Sequence, residues 1–210
     1  MKKFFIVFLF IVFSTPINSQ EELINLIKDG NKLIFIFIIF STHANSQEKL
    51  IDILKDGNKI IFIRHSYAPG SGDPANFKLN DCSTQRNLNE EGINQSKKIG
   101  KFFSKNKIQI DRVLSSEWCR CKDTAKFAFN KFTTFNALNS FYDPRFEKNK
   151  DKQVIELKKY IFDLNNKKNI VLITHFVVIL EILNISASSG EIIVSDKEFN
   201  IIGRYKQGPN

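Results

Sequence analysis

Lys-Ile-Ile-Phe-Ile-Arg-His (59–65) and Asn-Ile-Val-Leu-Ile-Thr-His (169–175) decide the reading of this chain. Each is a short run of β-branched and aromatic residues that ends on a histidine. Continuous apolar runs of this length, without polar alternation, suit strands covered on both faces, the environment of a parallel sheet. Working outward, 47–56 carries Leu50, Ile51, Ile53 and Leu54 at helical spacing, and Gly57 stops it. Asn89 is placed to cap a helix reaching about Lys105, with Glu90 and Glu91 at its positive end. Further helices are predicted over 118–129, 151–164 and 176–183. Further strands are predicted over 111–115 and 131–135, with an antiparallel hairpin from 191–195 and 199–205. Alternating strands and helices predict an α/β fold, a three-layer sandwich with a mostly parallel sheet. Ligands of such sheets bind beyond the carboxyl ends of the strands.

Between the first strand and the Asn89 helix, residues 65–87 read as a long loop. Pro69, Gly70, Gly72, Asp73 and Pro74 forbid regular structure in its first half. Loops of this length in compact domains tend to carry function.

The 210 residues are 42% hydrophobic and 25% charged, which excludes wholesale disorder. The longest apolar runs stop well short of the ~20 residues a membrane-spanning helix needs. The net charge of +9 suits an anionic partner. Only six of the 31 basic residues are Arg, so their positions are informative: guanidinium offers a planar fork for phosphate that Lys cannot copy. The lysines are scattered and no aromatic-rich basic motif accompanies them, so nucleic acid is not expected as a partner.

The N-terminus reads as a secretory signal: Lys2 and Lys3, an apolar run over 4–13, then a small and polar exit. The segment then repeats. FSTPINSQEELINLIKDGNKLIFI (13–36) aligns with FSTHANSQEKLIDILKDGNKIIFI (40–63), identical at 17 of 24 positions. Two copies are too few for a solenoid. They read as a duplicated signal plus first helix, so that 1–46 is a targeting region and 47–210 the folded domain. Small residues at Ala44 and Ser46 place the expected cut after Ser46. The expected address is periplasmic or secreted, with membrane contact only through an uncleaved signal. His43 falls in the exit segment and takes no part in the chemistry.

Beyond residue 46 there are two histidines, His65 and His175, each directly after a strand. In a parallel sheet both imidazoles lie at one edge. Arg64 precedes His65, and Arg120 lies at the start of the helix that follows Asp111-Arg-Val-Leu-Ser115. Two imidazoles and two guanidiniums near a helix N-terminus make a site for a phosphoryl group. One histidine with an unprotonated nitrogen can attack phosphorus while arginines neutralise the equatorial oxygens. The sequence has no P-loop, metal-ligand cluster or nucleophile elbow, and no metal or cofactor is expected.

At these residues the chain resembles the histidine phosphatase superfamily, in its phosphoglycerate-mutase-like branch. The first signature, Arg-His-Gly, stands here as Arg64-His65-Ser66. The second is Ser115-Ser116, Arg120 and Thr124-Ala125. The third is Thr174-His175, and Arg86-Asn87-Leu88 with Gly92 resembles the lead into the first long helix. The likeness extends over roughly 58–205. It is closest to exported members with a similar long loop, some described as lipopolysaccharide-core heptose phosphate phosphatases. The resemblance implies a phosphoglycerate mutase-like fold and His65 as a nucleophile that becomes phosphohistidine. It implies a phosphate pocket of Arg64, Arg120 and His175, with Ser66 and Arg86 as further substrate-binding candidates. For the general acid it points to the segment NSFYDPRFEKNK (139–150), hence Glu147 and Asp143, with Asp73 and Glu191 as other candidates. The expected partner is a phosphorylated small molecule, a sugar phosphate by analogy.

Cys119 and Cys121 diverge on a helix and cannot pair with each other. Cys82 pairs with one of them if the loop folds over the site; otherwise all three are small buried thiols. The leading function is an exported phosphomonoesterase. The competing ones are a phosphoglycerate mutase-type phosphotransferase and a non-catalytic phosphate- or glycan-binding protein.

Overall fold

Residues 48–206 are described in a computed structural model; the expected signal region 1–46 lies outside the described residues. A short helix, α1 (48–55), leads into β1 (Ile60–Arg64). Then follow α2 (Glu90–Lys105), β2 (Ile110–Ser115), α3 (Cys119–Phe129), β3 (Thr133–Thr134), α4 (Pro144–Glu147) and α5 (Lys150–Phe162). β4 (Asn169–Thr174), α6 (Phe176–Leu183), β5 (Ile192–Ser195) and β6 (Ile201–Tyr205) complete the order. The strands form one sheet ordered β3-β2-β4-β1-β5-β6. The pairs β1–β4, β4–β2 and β2–β3 are parallel, while β5 runs antiparallel to both β1 and β6. This is the expected α/β fold with a mixed, mostly parallel sheet.

The period of two along each strand sends alternate side chains to opposite faces, and both faces are apolar. Ile61, Ile63, Val171, Ile173 and Val113 pack on one side with Leu50, Ile99, Phe102 and Ala125 from α1, α2 and α3. Ile60, Phe62, Ile170, Leu172 and Leu114 pack on the other with Leu157 and Ile161 of α5 and Val178 and Ile182 of α6. Two cores with one sheet between them explain why β1 and β4 read as unbroken apolar runs.

Helix ends follow their caps. The Asn89 side chain accepts the Gly92 N–H at 3.0 Å and starts α2. Gly92 itself is required by a close approach: a Cβ there would lie 2.0 Å from the Tyr67 carbonyl oxygen. The glycine thus lets α2 press against the start of the long loop. That loop is not wholly irregular, since Cys82–Thr84 forms a 3-10 turn capped by Asp81. A second such turn, Asn136–Leu138, and the four-residue α4 lie in the stretch between β3 and α5. Both turns are too short for hydrophobic periodicity to reveal.

The strand register sets the site. Arg64 on β1 lies opposite Thr174 on β4, and Ser115 on β2 opposite Ile173. The three strands therefore end level. The pairing runs one step further, with His65 N–H donating to Thr174 O at 2.9 Å and Ser116 N–H to Ile173 O at 2.9 Å.

Candidate active site

Beyond this edge lies a cavity of about 150 Å³. Arg64, His65, Arg86, Arg120, His175 and Asp143 of the expected site residues line it. Gly70, Ser71, Gly72, Asp73, Trp118, Ser140, Tyr142, Phe146 and Phe176 form the rest of its wall.

The two imidazoles meet edge to face, with ring centroids 5.4 Å apart. Both are buried. His65 Nδ1 lies 2.8 Å from the carbonyl oxygen of Ser66. A carbonyl only accepts, so Nδ1 carries the proton and Nε2 is left with its lone pair. Burial, then the charge of Arg120, hold the His65 pKa well below the usual 6.5, and Arg64 and Arg86 push the same way. The imidazole is therefore neutral at neutral pH, the state a nucleophile needs. His175 is shifted in the same direction for the same leading causes, burial and then Arg120. Its Nε2 lies 2.9 Å from Ser116 Oγ and 3.5 Å from the buried Cys121 thiol. The edge of Trp118 packs on its ring, with centroids 5.4 Å apart.

These shifts have a stability consequence. In the unfolded chain both histidines take up a proton as the pH falls through about 6.5, while in the folded chain they resist it. Their neutral burial is fully compatible with folding above that pH and increasingly unfavourable below it. Each adds a slope of about 1.4 kcal/mol per pH unit below its unfolded pKa. Denaturant unfolding at pH 7, 6 and 5 is expected to show stability falling with acidification. The double variant His65→Asn/His175→Asn is expected to flatten that fall, and an unchanged slope would contradict it.

The guanidiniums are anchored by the groups around them. Arg64 Nη1 donates to the Ala187 carbonyl at 2.8 Å, and its plane stands 5.5 Å from the Phe176 ring. Arg120, 4% exposed, is forked by Asp73: Nη1 to Oδ1 at 2.8 Å and Nη2 to Oδ2 at 3.1 Å. The Nε–H groups of Arg64 and Arg120 are both buried and have no acceptor in the protein. Leaving a buried charged donor unpaired costs about 1–3 kcal/mol or more. Two of them on arginines lining the same cavity call for an anion.

Arg86 holds the loop as well as lining the cavity. Its Nε–H donates to Gly72 O at 2.9 Å and its Nη1 to Ala68 O. Gly70 and Gly72 take left-handed φ values of +89° and +67° there, which an L side chain would strain. Cys82 and Cys119 form a disulfide that ties the same loop to the first turn of α3, and Cys121 stays free and buried.

Two expected residues, Ser66 and Glu147, lie off the cavity wall, and a third, Asp143, lines it as a paired anion. Ser66 is fully buried away from the cavity: its hydroxyl meets Ser96 Oγ at 2.8 Å and its N–H donates to Thr124 Oγ1 at 3.0 Å. It follows His65, so the backbone turns it to the opposite side, between α2 and α3. Glu147 ends α4 on the exposed surface and is not part of the cavity wall. Asp143 lines the cavity but caps α4, and both of its oxygens accept from the Arg145 guanidinium. Those bonds lower its pKa to about 2, so it is an anion and not a stored proton. Glu191, the remaining candidate acid, is buried directly before β5; it takes Arg204 on one oxygen and the Ser188 N–H on the other. Asn139 went unnoticed in the sequence. Its Oδ1 accepts from Ser116 Oγ and the Glu117 N–H, which shapes the turn between β2 and α3. Among the described residues, no group of His, Cys, Asp and Glu is arranged to hold a metal ion.

The model of the histidine phosphatase superfamily, branch 1, matches residues 60–160. Among solved structures, the protein histidine phosphatase SixA complexed with tungstate is similar with a TM-score of 0.52 and 17% identity. That match covers 70% of this chain and 95% of the other. The putative phosphohistidine phosphatase SixA from Agrobacterium tumefaciens gives 0.52 at 16% identity, over 72% of this chain and 99% of its own. TTHB049 from Thermus thermophilus gives 0.50 at 16%, over 71% and 99%. No curated protein sequence matches the chain. At these identities the structures speak for the fold, and the family model marks a likeness to the histidine phosphatase superfamily over just under half of the chain.

Proposed function

We propose that the chain is an exported phosphatase that hydrolyses a small phosphomonoester through a phosphohistidine on His65. The observation that carries this reading is that Arg64 and Arg120 both line the cavity that His65 shares, and each carries a buried Nε–H without an acceptor. Charge agrees with it. Arg64, Arg86 and Arg120 against Asp73 leave two positive charges, and Asp143 cancels against Arg145. A phosphomonoester dianion balances that excess. The first turns of α3 and α6, directly after Trp118 and His175, add the positive ends of two helix dipoles at the same place.

In the first step the His65 Nε2 lone pair forms the N–P bond as the ester P–O bond breaks. Arg64 and Arg120 take the charge on the phosphoryl oxygens. The two carboxylates on the cavity wall, Asp73 and Asp143, are ionised and paired with arginine, so the departing oxygen takes its proton from solvent. In the second step water attacks phosphorus, the N–P bond breaks, and phosphate leaves with His65 neutral again. Hydrolysis rather than return transfer is our choice between phosphatase and mutase. The substrate class is a sugar phosphate or a molecule of similar size. Its test is a screen of phosphomonoesters, with 3-phosphoglycerate and phosphohistidine as comparison arms, using protein that begins at Gln47. Turnover of sugar phosphates to free phosphate supports the reading. Exchange of phosphate between phosphoglycerates without net release would replace it with the mutase.

Export is proposed from the signal-like N-terminus. A Cys82–Cys119 bond would also persist in an oxidising compartment. The expected exported product starts at Gln47, and N-terminal sequencing with intact mass checks it. A product starting at Gln20 would refute that cut.

A further inference from the structure

Asp73 sits on the loop, not on a strand end, yet it touches more of the site than any other carboxylate. Its Oδ1 accepts from Arg120 Nη1 at 2.8 Å and from the Arg86 N–H at 3.0 Å. Its Oδ2 accepts from Arg120 Nη2 at 3.1 Å and from the Trp118 indole N–H at 3.0 Å. Four donors occupy its four lone-pair directions, so it has no remaining role as an acceptor for substrate. Arg120 has five N–H bonds. Asp73 takes two, and a third reaches the Arg86 carbonyl at 3.3 Å. The Nε–H, buried without an acceptor, and the second Nη2–H remain, on the side edge of the guanidinium. That edge is the bidentate fork that matches two phosphate oxygens.

The loop is itself held. The Cys82–Cys119 bond joins it to the residue next to Arg120, and Gln85 Oε1 accepts the Cys119 N–H at 2.9 Å. Phe77, four residues beyond Asp73, stacks on Trp118 with centroids 5.2 Å apart. A covalent tie and an aromatic stack thus flank the carboxylate that grips Arg120.

We propose that Asp73 is the positioning residue of the phosphate site: it grips the end of the Arg120 guanidinium and leaves the side fork free for phosphoryl oxygens. This rests on the phosphatase reading, and it assigns Asp73 a role distinct from that of a proton donor. Asp73 acts through Arg120, so removing it is expected to matter only while Arg120 is present.

The test measures kinetics together with orthovanadate binding. Trp118 is the one tryptophan of the chain and lines the cavity, so its fluorescence reports anion binding directly. Asp73→Ala is expected to lower kcat by about 10- to 100-fold, the scale of a misplaced catalytic group. KM is expected to move less than about threefold, and vanadate affinity to fall with kcat. Asp73→Asn, which keeps shape and one acceptor, is expected to fall between Ala and wild type, and it serves if the alanine variant does not fold. In an Arg120→Ala background the same Asp73 changes are expected to add less than about twofold. Losses that multiply in the double variant would overturn the proposal. So would tighter vanadate binding by Asp73→Ala, which would make the carboxylate a competitor of the anion. If the wild type turns over no phosphomonoester while vanadate binding depends on Asp73 only through Arg120, the positioning role stands and the hydrolase reading falls.

Discussion

His65→Ala is expected to leave a folded protein whose phosphomonoesterase turnover falls by roughly 10⁴-fold or more, the scale seen when a covalent nucleophile is deleted. His65 is buried at the end of β1 with its Nδ1 proton committed to the Ser66 carbonyl. Its Nε2 is therefore the one ring nitrogen available for attack. The truncation removes an imidazole that packs edge to face on His175, so a cavity cost of a few kcal/mol accompanies the loss. Circular dichroism separates that cost from the chemistry. The matching measurement is a trapped phosphoenzyme, stable in alkali as phosphohistidine is. Wild type is expected to carry the label and His65→Ala to carry none. Residual turnover within about tenfold of wild type would sink the covalent route, because no pocket of arginines alone would depend so little on its nucleophile.

How far the site could be read in the sequence depends on the range of the interactions that build it. His65 and His175 were legible because each ends an unbroken apolar run, and two runs covered on both faces belong in the middle of a parallel sheet. The order β2-β4-β1 then brings their ends level. Arg64 and Arg120 followed from adjacency to those ends. Asp73 was legible only as a further candidate for the general acid. Its grip on Arg120 depends on a loop that folds back over α3, through left-handed turns at Gly70 and Gly72 and the bond from Cys82 to Cys119. No local pattern encodes that return. Asp143 is a different case. Asp followed by Pro144 is a local signature of a helix cap with proline in the first turn, and it marks Asp143 as a capping anion. Ser66 was placed at the site by its position in the Arg64-His65-Ser66 signature, but the chain turns it to the other side, onto Ser96.

Arg120→Lys is expected to be far from conservative. Lysine keeps the positive charge but cannot reproduce the planar fork. In the native site the end of the guanidinium is gripped by Asp73, the residue lines the cavity, and its Nε–H is buried without an acceptor. An ammonium can pair with Asp73 or with phosphate, and pairing with the carboxylate 2.8 Å away withdraws it from the phosphoryl oxygens. Losing one preorganised donor to a developing oxyanion costs about 3–4 kcal/mol, or 10²- to 10³-fold in kcat. The expected kcat of Arg120→Lys is lower by that factor, with KM raised less. A structural origin predicts something else. If Arg120 served mainly to neutralise Asp73, the lysine would restore the ion pair, and kcat would stay within about twofold of wild type. The size of the fall in kcat therefore distinguishes a guanidinium that holds phosphate from one that only balances a buried carboxylate.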